Sequence, residues 1–156
     1  MPQDNTVVME GVRIIFRNFA GKEGQYNREG DRNFAVVLDD KTADAMLQDG
    51  WNVKQLTPKE GYEEDGITFY LPVAVNFSGR PPRIVMITSR NRITLDENLV
   101  EQLDWADITN VDLIVRPYNW EVSGKTGVKA YLQTMFVTIQ EDYLEAKYGI
   151  EDGASE

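Results

Sequence analysis

Residues 108–139 read ITNVDLIVRPYNWEVSGKTGVKAYLQTMFVTI. The segments 108–120 and 128–139 are rich in β-branched and aromatic residues, and the SGKTG between them carries two glycines suited to a tight reversal. Pairing Val122 with Gly127 sets Trp120 opposite Lys129, Tyr118 opposite Tyr131 and Arg116 opposite Gln133. A strand period of two puts these six side chains on one surface. The other surface receives Val111, Leu113, Val115, Val128, Ala130 and Leu132, a core face. One surface is therefore apolar, and the other alternates rings with cations. Unpaired bases stack on rings for about 1–3 kcal/mol each, and cations neutralise phosphates whatever the sequence, so such a surface suits a single nucleic-acid strand.

Working outward, four more segments have strand composition: 7–19, 32–38, 67–77 and 83–88. Two carry helix signals. In 39–50, Asp39 or Asp40 can cap the start and Gly50 the end; in 94–105, Thr94 with Glu97 forms a capping box ahead of Leu95, Leu99 and Leu103. This order predicts a mainly β fold, a five-stranded OB-fold-like Greek-key barrel with two short peripheral helices and an acidic C-terminal tail. Residues 1–140 form the domain, with 39–66 as an insertion, and 141–156 form the tail. In an OB fold, oligonucleotides lie between the loop joining strands 1 and 2 and the loop joining strands 4 and 5, here residues 20–31 and 122–127.

Net charge opposes a polyanionic partner until it is resolved along the chain. The 156 residues carry 16 Lys and Arg against 26 Asp and Glu, a net charge of −10. The acids concentrate in 39–65, 96–112 and 141–156, whereas 66–95 holds four arginines and no acid, and 113–140 holds Arg116, Lys125 and Lys129 against Glu121 alone. Residues 11–38 carry five bases against three acids. The strand-rich blocks are thus the basic ones, and local sign on the sheet decides the partner. The candidate contact residues are Arg13, Arg17, Phe19, Lys22, Tyr26, Arg28, Arg32, Arg80, Arg83, Arg90, Arg92, Arg116, Tyr118, Trp120, Lys125, Lys129 and Tyr131. Three glycines in the loop AGKEGQYNREGD at 20–31 suggest a mobile element able to close over a strand.

Composition also prunes chemistry. With no Cys and no His, thiolate sites, iron–sulfur clusters, serine triads and ordinary zinc centres fall away. SGKTG lacks the first glycine of a P-loop, because position 119 is Asn, and a strand comes next where a helix is required. Glu145-Ala146-Lys147 sits in the tail without a matching strand acid. No carboxylate pair is placed for acid–base work, so the expectation is a non-enzyme with no cofactor and no metal. The opening MPQDNTVVMEG lacks a basic start followed by an apolar core, and no apolar run is long enough to span a membrane, so a cytoplasmic protein is expected.

The stretches VRIIFRNFAGKEGQYNREGDRNFAVVLDD, GRPPRIVMITSR, VDLIVRPYNWEVSGKTGVKAYLQTMFVTIQED and LEAKYG resemble a family of small bacteriophage single-stranded-DNA-binding proteins, over about residues 9–149. The resemblance implies an OB-fold accessory protein of replication or recombination that coats phage DNA in the host cytoplasm. It also implies an acidic tail that competes with DNA and recruits phage or host replication proteins. Bacterial versions end on a hydrophobic residue, whereas here the last residues are Ala154-Ser155-Glu156. Self-association is left open. The rival reading is an acidic interaction protein that mimics DNA and inhibits a host enzyme; a mimic should spread carboxylates over its binding face, and here the strands carry bases.

Overall fold

The computed structural model describes residues 6–25 and 27–140. Among them, nine strands form one mixed sheet: β1 (Val7–Met9), β2 (Ile14–Asn18), β3 (Arg32–Leu38), β4 (Lys54–Leu56), β5 (Thr68–Val75), β6 (Arg83–Ile87), β7 (Arg92–Leu95), β8 (Ile108–Val122) and β9 (Lys125–Ile139). The main path runs β1-β8-β9-β5-β3-β2, with β4 on β5 and β6–β7 attached to β9. Its two ends are neighbours in sequence. The expected strand 7–19 breaks at residues 10–13, so that β1 pairs with β8 and β2 with β3. Val12 N–H still donates to the Val111 carbonyl at 3.0 Å, and Val37 N–H donates to the Arg13 carbonyl at 2.9 Å. One stretch of chain thereby joins the two sides of the sheet.

The core lies on the inner face and follows the period of two. Phe34, Val36 and Leu38 of β3, Leu71, Val73 and Val75 of β5, and Val111, Leu113 and Val115 of β8 are all buried. Each such side chain contributes about 1.5–3 kcal/mol by leaving water. On β9 the buried set is Val128, Ala130 and Leu132, then Met135 and Val137. The missing step is a β-bulge: Val115 faces Leu132 but Ile114 faces Thr134, so Gln133 has no opposite number. The bulge falls where β9 changes neighbour. Before it, β5 pairs in parallel through Val73–Ala130 and Ala74–Tyr131; after it, β6 pairs in parallel from Arg83–Thr134 to Ile87–Thr138.

Of the two expected helices one forms. The α-helix α1 spans Asp40–Gln48, its N-cap Asp39 accepting from Thr42 N–H at 2.6 Å, and it buries Ala43 and Met46 against the sheet. The helix expected over 94–105 is a correction. Thr94 lies in β7 opposite Val85, and the chain beyond β7 forms only a short 3-10 helix, Val100–Asp104. Its N-cap Leu99 has no side-chain cap; Asp96 instead closes the turn ahead of it, accepting from Asn98 N–H at 2.9 Å and Leu99 N–H at 3.1 Å. Only Val100 and Leu103 of this segment reach the core, which a tighter 3-10 turn achieves as well as an α-helix would. The five-strand count is likewise corrected, because β1 and β2 are split and the short β4, β6 and β7 join the same sheet.

Candidate nucleic-acid interface

The β8–β9 hairpin closes more tightly than expected. Val122 pairs with Lys125, leaving Ser123 and Gly124 as the turn, with φ of 52° and 81°. Two positive φ values define the reversal that matches the right-handed twist of paired strands. The register therefore differs by two from the expected one: Trp120 faces Gly127, Tyr118 faces Lys129 and Arg116 faces Tyr131. An even shift preserves faces, so the core set and the ring-and-cation set stay on the surfaces expected of them.

On the outer surface Tyr131 is the hub. Tyr118 meets it edge-on with ring centres 5.9 Å apart, Lys129 Nζ lies 5.2 Å from its ring centre, and the Arg116 guanidinium carbon lies 5.6 Å from it. Tyr118 is 55% exposed, leaving a ring face open for stacking. Burial, and after it the neighbouring Arg80 charge, lowers the Arg116 pKa below its ordinary value. Two guanidiniums are thus held near each other, and among the described residues no carboxylate lies within 4 Å of Arg80, Arg116, Lys125 or Lys129. Uncompensated cations beside open rings are the chemistry that a phosphate-linked chain of bases calls for.

This surface forms one wall of a groove of about 720 Å³, to which Trp120, Lys129 and Tyr131 contribute. Its floor is the outer face of β5, Pro72 and Ala74, and its far wall is the loop between β2 and β3, with Arg28, and the start of β3, with Arg32 and Asn33. The loop is built on Asn27. The side-chain amide of Asn27 donates to the carbonyls of Lys22, Arg28 and Asp31, and its Oδ1 accepts from Asn33 Nδ2 at 2.7 Å. Gly30 N–H closes the stem on the Gly21 carbonyl at 2.7 Å. The loop expected to be mobile is therefore tied together by its own hydrogen bonds.

Residues 2–153 match the family model described as "Putative phage ssDNA-binding domain". The chain belongs to this phage single-stranded DNA-binding family. Two solved structures share the fold at 11% identity. One is the single-stranded DNA-binding protein of bacteriophage Enc34 with its C-terminus truncated, at a TM-score of 0.55 over 88% of this chain and 87% of that one. The other is the Enc34 protein in complex with ssDNA, at a TM-score of 0.56 over 88% of each chain. No curated protein matches the sequence.

The candidate residues of this family member divide into three groups. Arg28, Arg32, Trp120, Lys129 and Tyr131 line the groove; Tyr118, Arg116 and Arg80 adjoin it through Tyr131 and one another; Lys125 stands exposed at the hairpin turn. Arg28 shares only an exposed contact with Asp31 at 3.6 Å, the kind worth little in water. Arg32 rests over Phe77, and its Nε is buried without a hydrogen-bond partner.

A second group is put to structural use. Phe19 is corrected to a core residue: it is fully buried and stacked on Phe34 at 5.2 Å. Arg17 points its Nη1 at the carbonyls of Leu103 and Ala106, 2.8 Å from each, and pins the 3-10 segment to β2. The third group, Arg13, Arg83, Arg90 and Arg92, does not line the groove; Arg83 covers Phe136 instead. Of the rest, Lys22 lines a separate groove, and Tyr26 and the acidic tail lie outside the described residues.

Sequence reasoning missed the floor residues Pro72 and Ala74, together with Phe16, Lys54, Tyr70 and Trp105, which line a second groove. The alternation Tyr70, Pro72, Ala74 was the available signal, because a period of two carries the outer face of β5 directly to Tyr131, the partner of Ala74.

Proposed function

We propose that this protein is a sequence-tolerant single-stranded DNA-binding protein of the OB type that coats exposed phage DNA during replication or recombination in the host cytoplasm, without catalysing a reaction. The observation that carries the reading is the Tyr118–Tyr131–Trp120 surface with its uncompensated Arg80, Arg116 and Lys129 beside the groove. The strand path supports the barrel reading, since β1 and β2 lie at its two ends yet adjoin in sequence. The groove lies between the β2–β3 loop and the β8–β9 hairpin, the two loops that flank the ligand in OB folds. Among the described residues, no helix is long and apolar enough to cross a membrane.

The test is a titration with fluorescent oligo-dT and with matching duplex at two salt concentrations. Tight single-strand binding that weakens with salt and quenches Trp emission is expected. Failure to bind the single strand at low salt, or tighter binding of the duplex, overturns the reading. Cleavage of the oligonucleotide in magnesium or manganese would overturn its non-catalytic part.

A further inference from the structure

We infer that the second groove, beside Phe16, is another base-stacking subsite for the same DNA strand, so that the track crosses the sheet from the β8–β9 hairpin to β2. This rests on the single-stranded DNA reading above. The groove encloses about 800 Å³ and is lined by three aromatics, Phe16, Tyr70 and Trp105, and by the cations Lys22 and Lys54. Phe16 and Trp105 are 55% and 63% exposed, a large apolar surface to leave in water. The Phe16 and Tyr70 rings meet edge-on at 5.3 Å, and Lys22 Nζ lies 5.1 Å from the Trp105 ring. Rings interleaved with ammonium groups repeat the chemistry of the hairpin surface.

Backbone geometry marks the same spot. Phe16 has φ of 54°, and the β2–β3 register slips between Ile15 and Asn18. A bulky residue in the left-handed region is strained, and such strain gathers where a side chain must be presented. Here it turns an aromatic ring outward from a strand whose Ile14 packs against the core.

Continuity fixes the occupant. Tyr70, Pro72 and Ala74 alternate along one face of β5, and Ala74 pairs with Tyr131, so both grooves open on the same sheet face. Asn27 and Asn33 line both, which places the loop hub at their junction. Asp104 also lines the second groove, but its carboxylate is occupied by the N–H groups of Phe19 and Ala20, at 2.6 and 3.1 Å. Glu23, an exposed carboxylate, lines the same groove as the two lysines. From β2 to β8 is four strand spacings, about 19 Å along the sheet. That span separates short oligonucleotides from long ones.

The experiment compares oligo-dT of about 4 and about 16 nucleotides, the limits of OB-fold site sizes. The proteins are wild type, Trp105→Ala, Phe16→Gly and Tyr118→Ala, each checked for an unchanged fold by circular dichroism. Trp105→Ala and Phe16→Gly should weaken binding of the long oligonucleotide about tenfold and leave the short one unaffected, whereas Tyr118→Ala should weaken both. Phe16→Gly removes the ring without leaving a Cβ at positive φ, and its unchanged circular dichroism separates a loss of binding from unfolding. Wild-type affinity of both second-groove variants for the long oligonucleotide, with Tyr118→Ala impaired, overturns the subsite and leaves the proposed function standing. Equal losses on both lengths overturn it as an extension of the track. Failure of the wild-type protein to bind the long oligonucleotide overturns the proposed function itself.

Discussion

Trp120 lies directly over Gly127, its partner across the hairpin: a Cβ placed on Gly127 would come within 2.6 Å of Trp120 Cζ2. A glycine in a strand leaves a gap that a cross-strand aromatic can cover, and here the cover fixes the indole beside the groove. Gly127→Ala should therefore displace the ring, shift Trp emission and weaken oligo-dT binding by no more than Trp120→Ala does, about 1–3 kcal/mol. Unchanged emission with unchanged affinity would show that the ring is not seated there.

Tyr131 holds three neighbours at once, so Tyr131→Ala should cost more affinity than loss of one stacked base, above the about 1–3 kcal/mol of a single ring. Lys129→Ala should act differently. As the expected loss of one phosphate contact, it should lower the slope of log affinity against log salt by about 0.7. A salt series on the two variants separates stacking from charge, and an unaltered slope for Lys129→Ala would remove that residue from the contact surface.

Arg17 is basic and lines the second groove, yet its Nη1 is spent on two backbone carbonyls. Arg17→Met should lower stability by about 1–3 kcal/mol, because the carbonyls of Leu103 and Ala106 lose a charged donor, while the salt slope of binding stays as in wild type. Urea denaturation alongside the salt series decides; a reduced slope would return Arg17 to the DNA-contacting set.

Two variants at one position measure the strain at Phe16. Both Phe16→Ala and Phe16→Gly delete the ring, but only glycine accepts φ of 54° without penalty. The glycine variant should be the more stable by about 0.5–1 kcal/mol in chemical denaturation. Alanine equal to or above glycine would mean that the backbone there relaxes to an ordinary conformation.

The helix α1 should respond to acid through its cap. The Thr42 backbone N–H, donating to Asp39, holds its carboxyl below the ordinary aspartate value. A depressed folded-state pKa gives stability that is fully present above the unfolded value and is lost as pH falls through the folded one. Asp39→Asn should narrow its stability deficit against wild type as pH falls through that range. A deficit constant from neutral to strongly acidic pH would rule out the ionised cap.

The hairpin shows how much could be read from sequence. The alternation Val111, Leu113, Val115 against Arg116, Tyr118, Trp120 assigns both faces before any register is known, and a slip of two residues leaves that assignment intact. Likewise Asp39 and the run beginning at Asp40 specify α1 through local hydrogen bonding alone. The helix expected over 94–105 failed because its first residues found ladder partners on β6, a long-range competitor that local capping signals do not register. Phe19 and Arg17 looked like contact residues for a related reason. Composition gives a side chain's chemistry but not its neighbours, and Phe34 and the carbonyls of Leu103 and Ala106 come from segments distant in sequence.

The sequence by itself thus determined the alternating faces, the sorting of charge onto strands and the chemistry of the partner, because these depend on period and residue type. Tertiary structure alone decided that β9 exchanges β5 for β6 at the Gln133 bulge, and that Asn27 ties the loop. It also decided that Phe16, Tyr70 and Trp105, more than thirty residues apart in sequence, share one groove. Those outcomes rest on which strands become neighbours and on one residue held at positive φ, and neither leaves a mark in local composition.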